Sequence, residues 1–245
     1  VAMEGITPAD NFLLKGNNLL ALHSLTKSFA NKIKLIYVDP PFNTGKDSFS
    51  YNDRFSHSTW LTFMKNRLEV AKELLSPDGS IFVHLDHNEA HYCKVLMDEV
   101  FGRDHFINEI IWCYTGPGSP GMKQFNRKHD NIFWYSKGDS WTFNSDDIRV
   151  PSEVHSGGFK GEMSKNVSDG YSLKGKIPED WWEFAVASRF KVDGVKRTGY
   201  NTEKPVKLLE RIIKATTNPN DFVLDFFGGS GSTAFVAASL GRRFI

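Results

Sequence analysis

The sequence predicts an α/β protein organised on a doubly wound, Rossmann-like parallel sheet, and three observations lead there. Strand-like and helix-like runs alternate from Asn11 to about Tyr114, the alternation returns from Thr202 onward, and a glycine-rich turn, "GGSGS", joins a strand to a helix in the second block. Alternation of this kind is the βαβ rhythm, in which each parallel strand pair needs a crossover helix.

Taken in order, "KLIYVD" reads as a short buried strand, apolar and β-branched up to Val38, with Asp39 at its end. Pro40 and Pro41 stop it, because neither has an N–H to donate and each fixes its φ, leaving a stiff turn that presents carbonyls. In "TWLTFMKNRLEVAKELL", Trp60, Phe63, Met64, Arg67, Leu68, Ala71, Leu74 and Leu75 recur at three- and four-residue steps, which predicts a helix ended by Pro77, Asp78 and Gly79. "GSIFVHLD" predicts a strand, "NEAHYCKVLMDEVFG" a helix and "EIIWCY" a strand. From Gly116 to about Tyr200 turn residues arrive every few positions, so this middle is expected to interrupt a single sheet built by the two α/β blocks. The second block predicts a helix over "TEKPVKLLERIIKATT", with Pro205 in its first turn, then the strand "DFVLDFF", the helix "TAFVAASLG" and the strand "RRFI".

Composition narrows the function classes. A chain of 245 residues, 40% of them hydrophobic, can build one sizeable core with an elaborate insert. A net charge of +1 decides nothing about a polyanionic partner, since the distribution of charge matters more than its sum. The two cysteines, Cys93 and Cys113, form no disulfide framework and suit a reducing cytoplasm. No apolar run reaches the roughly 18 residues of a membrane span, and the start "VAMEGITPADN" lacks the apolar core of a signal peptide; a cytoplasmic protein without membrane contact is expected. His84, His87 and His91 with Cys93 lack the usual zinc spacings, so no structural metal is expected.

Two turns carry the chemistry. Gly228, Gly229 and Gly231 follow a strand and open a helix, where backbone N–H groups meet a nucleotide-like ligand; the spacing is not G-x-G-x-x-G and no P-loop lysine is present, so a phosphate is not the obvious ligand. Glycine also serves tight strand-to-helix turns with no ligand at all. In the middle segment, basic residues such as Lys123, Arg127, Lys128 and Lys160 interleave with Trp134, Tyr135, Trp141, Phe159 and Trp182, a pattern that suits nucleic-acid contact or the core of a small satellite domain.

With "DPPF" at the end of one strand and "DFFGGSGST" opening a helix near the end of the chain, the sequence closely resembles the β-ordered, amino-methylating, adenine-specific DNA methyltransferases. The likeness runs through "LKGNNLLAL", "DPPFNTGKDSFSYNDRFSHSTWLTFM", "GSIFVHLDHNE", "MDEVFG" and "TEKPVKLLERIIKATTNPNDFVLDFFGGSGST", and the first long run is similar to the modification subunits of type III restriction systems. The resemblance implies three regions: residues 11–115 as the catalytic half, 116–200 as the inserted target-recognition region and 201–245 as the cofactor half. It implies S-adenosylmethionine as methyl donor, the N6 amino group of an adenine flipped out of double-stranded DNA as acceptor, and a homodimer or a restriction subunit as partner. Cytosine N4, RNA, a protein amide, or a catalytically silent DNA-binding subunit are the rival readings.

The residues follow position by position. Asp39 and the Pro40 carbonyl would accept the two N–H bonds of the target amino group, Pro41 stiffens the turn and Phe42 offers a ring for the flipped base. The cofactor loop matches Asp225, Phe227, Gly228, Gly229, Ser230, Gly231, Ser232 and Thr233; Thr202, Lys204 and Pro205 match the segment that meets the methionine end, Asn17 and Asn18 an early turn that meets the cofactor, which Asp39 also borders. DNA contact is expected from Asn43 and Lys46, in the loop from Asn43 to His57, and from Lys123, Arg127 and Lys128. Ile245 stands where the family continues to the acidic residue that holds the ribose hydroxyls, so the C-terminus is expected to be truncated.

Overall fold

The computed structural model describes residues 11–45, 55–116, 121–151, 175–186 and 203–245. In chain order these hold α1 (Asn18–Phe29), β1 (Ile33–Val38), α2 (His57–Leu74), β2 (Leu75–Leu85), α3 (Ala90–Phe101), β3 (Phe106–Cys113), β4 (His129–Ser136), β5 (Trp181–Glu183), α4 (Val206–Thr216), β6 (Phe222–Leu224), α5 (Ser232–Ser239) and β7 (Arg243–Phe244), with short 3-10 turns at Arg103–His105 and Ser145–Ile148. The strands make one seven-stranded sheet in the order β5-β3-β4-β2-β1-β6-β7.

The doubly wound expectation holds at the centre. β1 pairs in parallel with β2 on one side and β6 on the other, and all six of its residues are buried. Ile33, Ile36 and Val38 pack against Leu25 of α1, Met64 of α2 and Met97 of α3, while Leu35 and Tyr37 pack against Leu208 and Ile212 of α4 and Val236 of α5. A strand covered on both faces is apolar at every position, which is why "IKLIYV" does not alternate.

The sheet is mixed rather than wholly parallel, and here the sequence reading needs correction. β4 runs antiparallel between β2 and β3, and it comes from "HDNIFWYS", inside the segment from 116 to 200 that was expected to stand outside the sheet. Seven of its eight residues are buried; Phe133 and Tyr135 join the core under α2 and α3, and Ile132 and Trp134 the core under α4. β5 also comes from that segment and pairs with β3. Turn-rich flanks on both sides conceal an eight-residue run whose aromatic and β-branched content suits a strand buried on both faces.

Smaller differences have local causes. α2 ends at Leu74, and Pro77, Asp78 and Gly79 lie in β2, tied to β1 by an ion pair between Lys34 and Asp78. A Cβ on Gly79 would sit 2.9 Å from the Ile33 carbonyl oxygen, so the close approach of the two strands requires glycine. Pro205 occupies the N-cap of α4, one residue before the first turn. In α1, a helix absent from the sequence reading, Asn17 caps the start by accepting from Leu19 and Leu20 N–H at 3.0 and 3.4 Å.

Because Ile132 is fully buried in β4, Ile132→Ala should destabilise the fold by about 2–5 kcal/mol in urea unfolding and shift the whole cooperative transition. A local effect that leaves the main transition in place would separate β4 from the core.

Candidate active site

β1 and β6 are adjacent and parallel, and the chain leaves β1 toward β2 on one side while β6 lies on the other. That makes their carboxyl ends a topological switch point, where open α/β sheets form a crevice. Asp39 follows β1 and Asp225 follows β6, so the two sequence-predicted motifs meet there.

Each carboxylate has its own environment. Asp225 is internally held: Oδ1 accepts from Phe227 N–H at 2.9 Å and Oδ2 from the Thr233 hydroxyl at 2.6 Å, which fixes the glycine turn to α5. Burial pushes its carboxyl from the ordinary 3.8 up to about 6, opposed by those hydrogen bonds. Asp39 accepts from Lys204 Nζ at 2.5 Å through Oδ2, with the two side chains 19% and 11% exposed. Its Oδ1 is buried and has no hydrogen-bond partner among the described residues. A buried carboxylate oxygen left unpaired costs free energy, so an incoming donor is the chemistry it fits.

The turn after Asp39 is braced from outside. Trp60 Nε1 donates to the Pro41 carbonyl at 2.8 Å. Phe42 is half-buried, its ring 5.8 Å from that of His84 and 5.2 Å from Lys204 Nζ.

Beneath it lies a polar chain that the sequence reading missed. Burial, with Asp39, Asp225 and Asp130 nearby, raises the Tyr37 pKa well above its ordinary value, so its hydroxyl stays protonated and donates to His84 Nδ1 at 2.7 Å. His84 Nε2 then donates to Asp130 Oδ2 at 3.1 Å, and Tyr114 donates to Oδ1 at 3.1 Å. Burial disfavours the charge on Asp130, but the hydrogen bond from His84, with the Lys204 ammonium nearby and the Tyr114 hydroxyl, outweighs it and holds the carboxyl below its usual range. From the sequence, His84 is considered only as a metal ligand; the usable signal is a polar residue near one end of each of two apolar strands. Among the described residues no cluster of His, Cys, Asp and Glu could hold a metal ion.

Behind the glycine turn opens a cavity of about 440 Å³ lined by Gly16, Asn18, Leu22, Asp225, Phe226, Gly228, Gly229, Gly231 and Ile245. Gly229 and Gly231 have φ of +50° and +80°, a conformation that favours glycine. Asn18 Nδ2 donates to the Phe226 carbonyl at 2.9 Å, and Arg67 Nε donates to Asn18 Oδ1 at 2.8 Å. The other expected cofactor residues stand back from the cavity: Asn17 caps α1, the Ser230 and Ser232 hydroxyls pair at 2.8 Å, the Phe227 ring lies 6.0 Å from Phe63, and Pro205 starts α4. Thr202 and Lys46 lie outside the described residues.

The residues expected to touch DNA gather near the same end. β4 is antiparallel to β2, so it begins where β2 ends, with Leu85 opposite Asn131. Exposed Arg127 and half-buried Lys128 therefore stand near the carboxyl end of β2, an Arg127 terminal nitrogen lying 2.8 Å from His87 Nε2, and exposed Lys123 precedes them in the chain. Asn43, one residue past Phe42, binds both backbone groups of Phe55: Nδ2 donates to the carbonyl at 2.9 Å and Oδ1 accepts from the N–H at 2.7 Å.

A mixed doubly wound sheet with an acidic "DPPF" turn and a glycine turn at its switch point defines a nucleotide-cofactor transferase fold. The chain belongs to the DNA methylase family, which matches residues 33–245. It is 66% identical over 104 residues to the probable type III restriction-modification enzyme HindVI Mod subunit of Haemophilus influenzae, covering 42% of this chain and 14% of that protein. It is 34% identical over 221 residues to the type II methyltransferase M1.MboII of Moraxella bovis, covering 87% of this chain and 83% of the relative. With the EcoP15I Mod subunit of Escherichia coli it shares 33% identity over 176 residues, 58% of this chain and 27% of that one; the chain thus spans a minor part of the type III Mod subunits it matches. Among solved structures, the cytosine-N4-specific PvuII DNA methyltransferase superposes with a TM-score of 0.68 at 20% identity over 98% of this chain and 84% of that one. The M1.HpyAVI–SAM complex superposes with 0.58 at 20% identity over 95% and 90%; both likenesses speak for the fold.

The raised pKa of Asp225 has a sign that can be measured. A carboxyl whose folded-state pKa is raised contributes stability that is fully present below its unfolded value, about pH 4, and is lost as pH rises through about 6. Wild type should lose stability relative to Asp225→Asn between pH 4 and 7 in chemical unfolding; a constant difference would contradict the burial argument.

Proposed function

We propose that this chain is the catalytic part of a DNA methyltransferase that uses S-adenosylmethionine to methylate the N6 amino group of adenine in double-stranded DNA, within a restriction-modification system. The observation that carries the reading is the unpartnered, buried Oδ1 of Asp39, beside a glycine-lined cavity at the switch point. The residues fit the cofactor: the cavity takes a nucleoside against backbone free of Cβ atoms at Gly229 and Gly231, and Lys204, held on Asp39, is the cation assigned to the carboxylate end.

An exocyclic purine amine is a poor nucleophile because its lone pair is delocalised into the ring. Asp39 Oδ1 accepts one N–H and the Pro40 carbonyl the other, which turns the lone pair out of conjugation and holds it for in-line displacement. When bound, S-adenosylmethionine supplies a sulfonium methyl group; the new N–C bond forms as the S–C bond breaks, the amine proton is released and the thioether departs. Positioning and fixed dipoles do the rest, so no covalent nucleophile is required. A base inside a duplex is out of reach, so the adenine is flipped at a cost of a few kcal/mol and stacks on Phe42, a contact of about 1–3 kcal/mol. The Tyr37–His84–Asp130 chain beneath Phe42 keeps that ring in place.

The type III likeness supports a restriction subunit as partner, with a homodimer as the other arrangement, and the cytoplasm, where DNA and cofactor are held, as location. No helix among the described residues is long and apolar enough to cross a membrane. Cytosine N4 is the second reading, favoured by the fold shared with the PvuII enzyme.

Methylome sequencing of DNA from cells expressing the protein, with nucleoside analysis, should find N6-methyladenine at one sequence; methylation of cytosine N4 alone would replace the adenine reading. Asp39→Ala should lower labelled-methyl transfer by about a hundredfold or more while the protein stays folded. Transfer at the wild-type rate would refute the acceptor role.

Replacing Lys123, Arg127 and Lys128 together should weaken DNA binding, flatten its salt dependence and leave cofactor affinity unchanged in calorimetry. Unchanged DNA affinity would move the contact surface elsewhere.

A further inference from the structure

Glu89 is the one fully buried carboxylate among the described residues that the proposed chemistry leaves without a task. It stands at the N-cap of α3, where its backbone carbonyl accepts from Cys93 N–H at 2.8 Å, so it is set on a rigid element. Its Oε1 accepts from Asn43 Nδ2 at 2.5 Å and lies 2.9 Å from His57 Nδ1. Its Oε2 is buried without a hydrogen-bond partner among the described residues. Burying a half-satisfied carboxylate is costly, and a fold that only needed filler there would use an apolar side chain.

What Glu89 holds is specific. Asn43 has a φ of +58°, the left-handed conformation, and follows Phe42 directly. Its side chain acts as a strand partner for Phe55, tying together the two ends of the chain between 43 and 55. On the far side, His57 is the first residue of α2, and its ring stacks within 4.6 Å of the Tyr92 ring on α3. One oxygen of Glu89 therefore joins the exit of the "DPPF" turn, the entry of α2 and the start of α3.

Resting on the methyl-transfer reading above, we propose that Glu89 is a positioning residue: by holding Asn43 and His57 through a single oxygen, it pins Asn43 to the start of α2 and so fixes Phe42 and the Asp39 turn for the flipped base. Misplacement of a reacting group by about 1 Å costs on the order of a hundredfold in rate, so a clamp one residue from Phe42 bears on catalysis without touching substrate.

The test compares Glu89→Ala, Glu89→Gln, Asn43→Ala and the Glu89→Ala/Asn43→Ala double variant. Glu89→Ala should lower kcat for DNA methylation by about ten- to a hundredfold while cofactor affinity by calorimetry stays within about twofold. Glu89→Gln keeps an oxygen that accepts from Asn43 and should recover most of that loss. The double variant should be no worse than the worse single, because both remove one clamp. Hydrogen exchange at the Phe55 amide, which donates to Asn43, should speed up in Glu89→Ala and in Asn43→Ala but not in Glu89→Gln. If Glu89→Ala does not fold, Asn43→Ala against Glu89→Gln carries the same comparison. Wild-type exchange in the alanine variants, a Glu89→Gln as impaired as Glu89→Ala, or multiplicative losses in the double variant would each overturn the proposal. Exchange reads the clamp without any turnover; a wild-type protein that transfers no methyl group to DNA would instead defeat the methyltransferase reading.

Discussion

The site depends on one electrostatic constraint: two carboxylates, Asp39 and Asp225, are set close together at the ends of adjacent parallel strands. Burial raises the cost of charging Asp225, and the Asp39 carboxylate adds to it. The structure answers by giving them different partners. Asp225 is held by a backbone N–H and a hydroxyl of its own turn and becomes a structural brace, whereas Asp39 receives the Lys204 ammonium on one oxygen and keeps the other unpaired. Two groups of one type at one end of one sheet are thereby given different work, and the entry to α4 must lie where Lys204 can reach.

Much of this was legible in the sequence because it rests on local chemistry. The aliphatic run into Asp39, the double proline and the strand-to-helix glycines are contiguous signals, and the structure brings them together at the switch point. What was not legible depended on contacts between segments distant in the chain. β4 is hidden because its partner β2 lies far from it along the chain, and its apolar run sits among turn residues that dominate any short window. His84 and Asp130 are 46 residues apart, and only the antiparallel register of β4 on β2 makes them neighbours. Asn17 and Asn18 show the limit of position-by-position reading: both looked alike, yet one caps a helix and the other lines the cavity.

The antiparallel strand also has a functional consequence. Had β4 run parallel to β2, the basic segment before it would enter at the opposite end of the sheet. Because it runs back, Arg127 and Lys128, just before β4, arrive at the carboxyl end of β2. The strand that breaks the parallel pattern is thus the one that brings Arg127 and Lys128 to the carboxyl end of β2 and supplies Asp130 to the chain under Phe42.

Departures from local rules occur at both ends of the sheet, as left-handed Asn31 and Asn220 show, and several stand at the crevice. Left-handed Asn43, Gly229 and Gly231 and the unpaired oxygens of Asp39 and Glu89 lie in or beside its turns, while β1 and the helices packed on it are apolar and closely filled. Strain and unpaired polarity persist only where the surroundings over-determine them. Here the rigid sheet fixes the strand ends, and Trp60, Thr233, Asn18 and Glu89 reach in from four helices or their caps to hold the turns. A base that must leave its own stack can then meet groups already in place, so the ordering cost is met by the fold and not by each encounter.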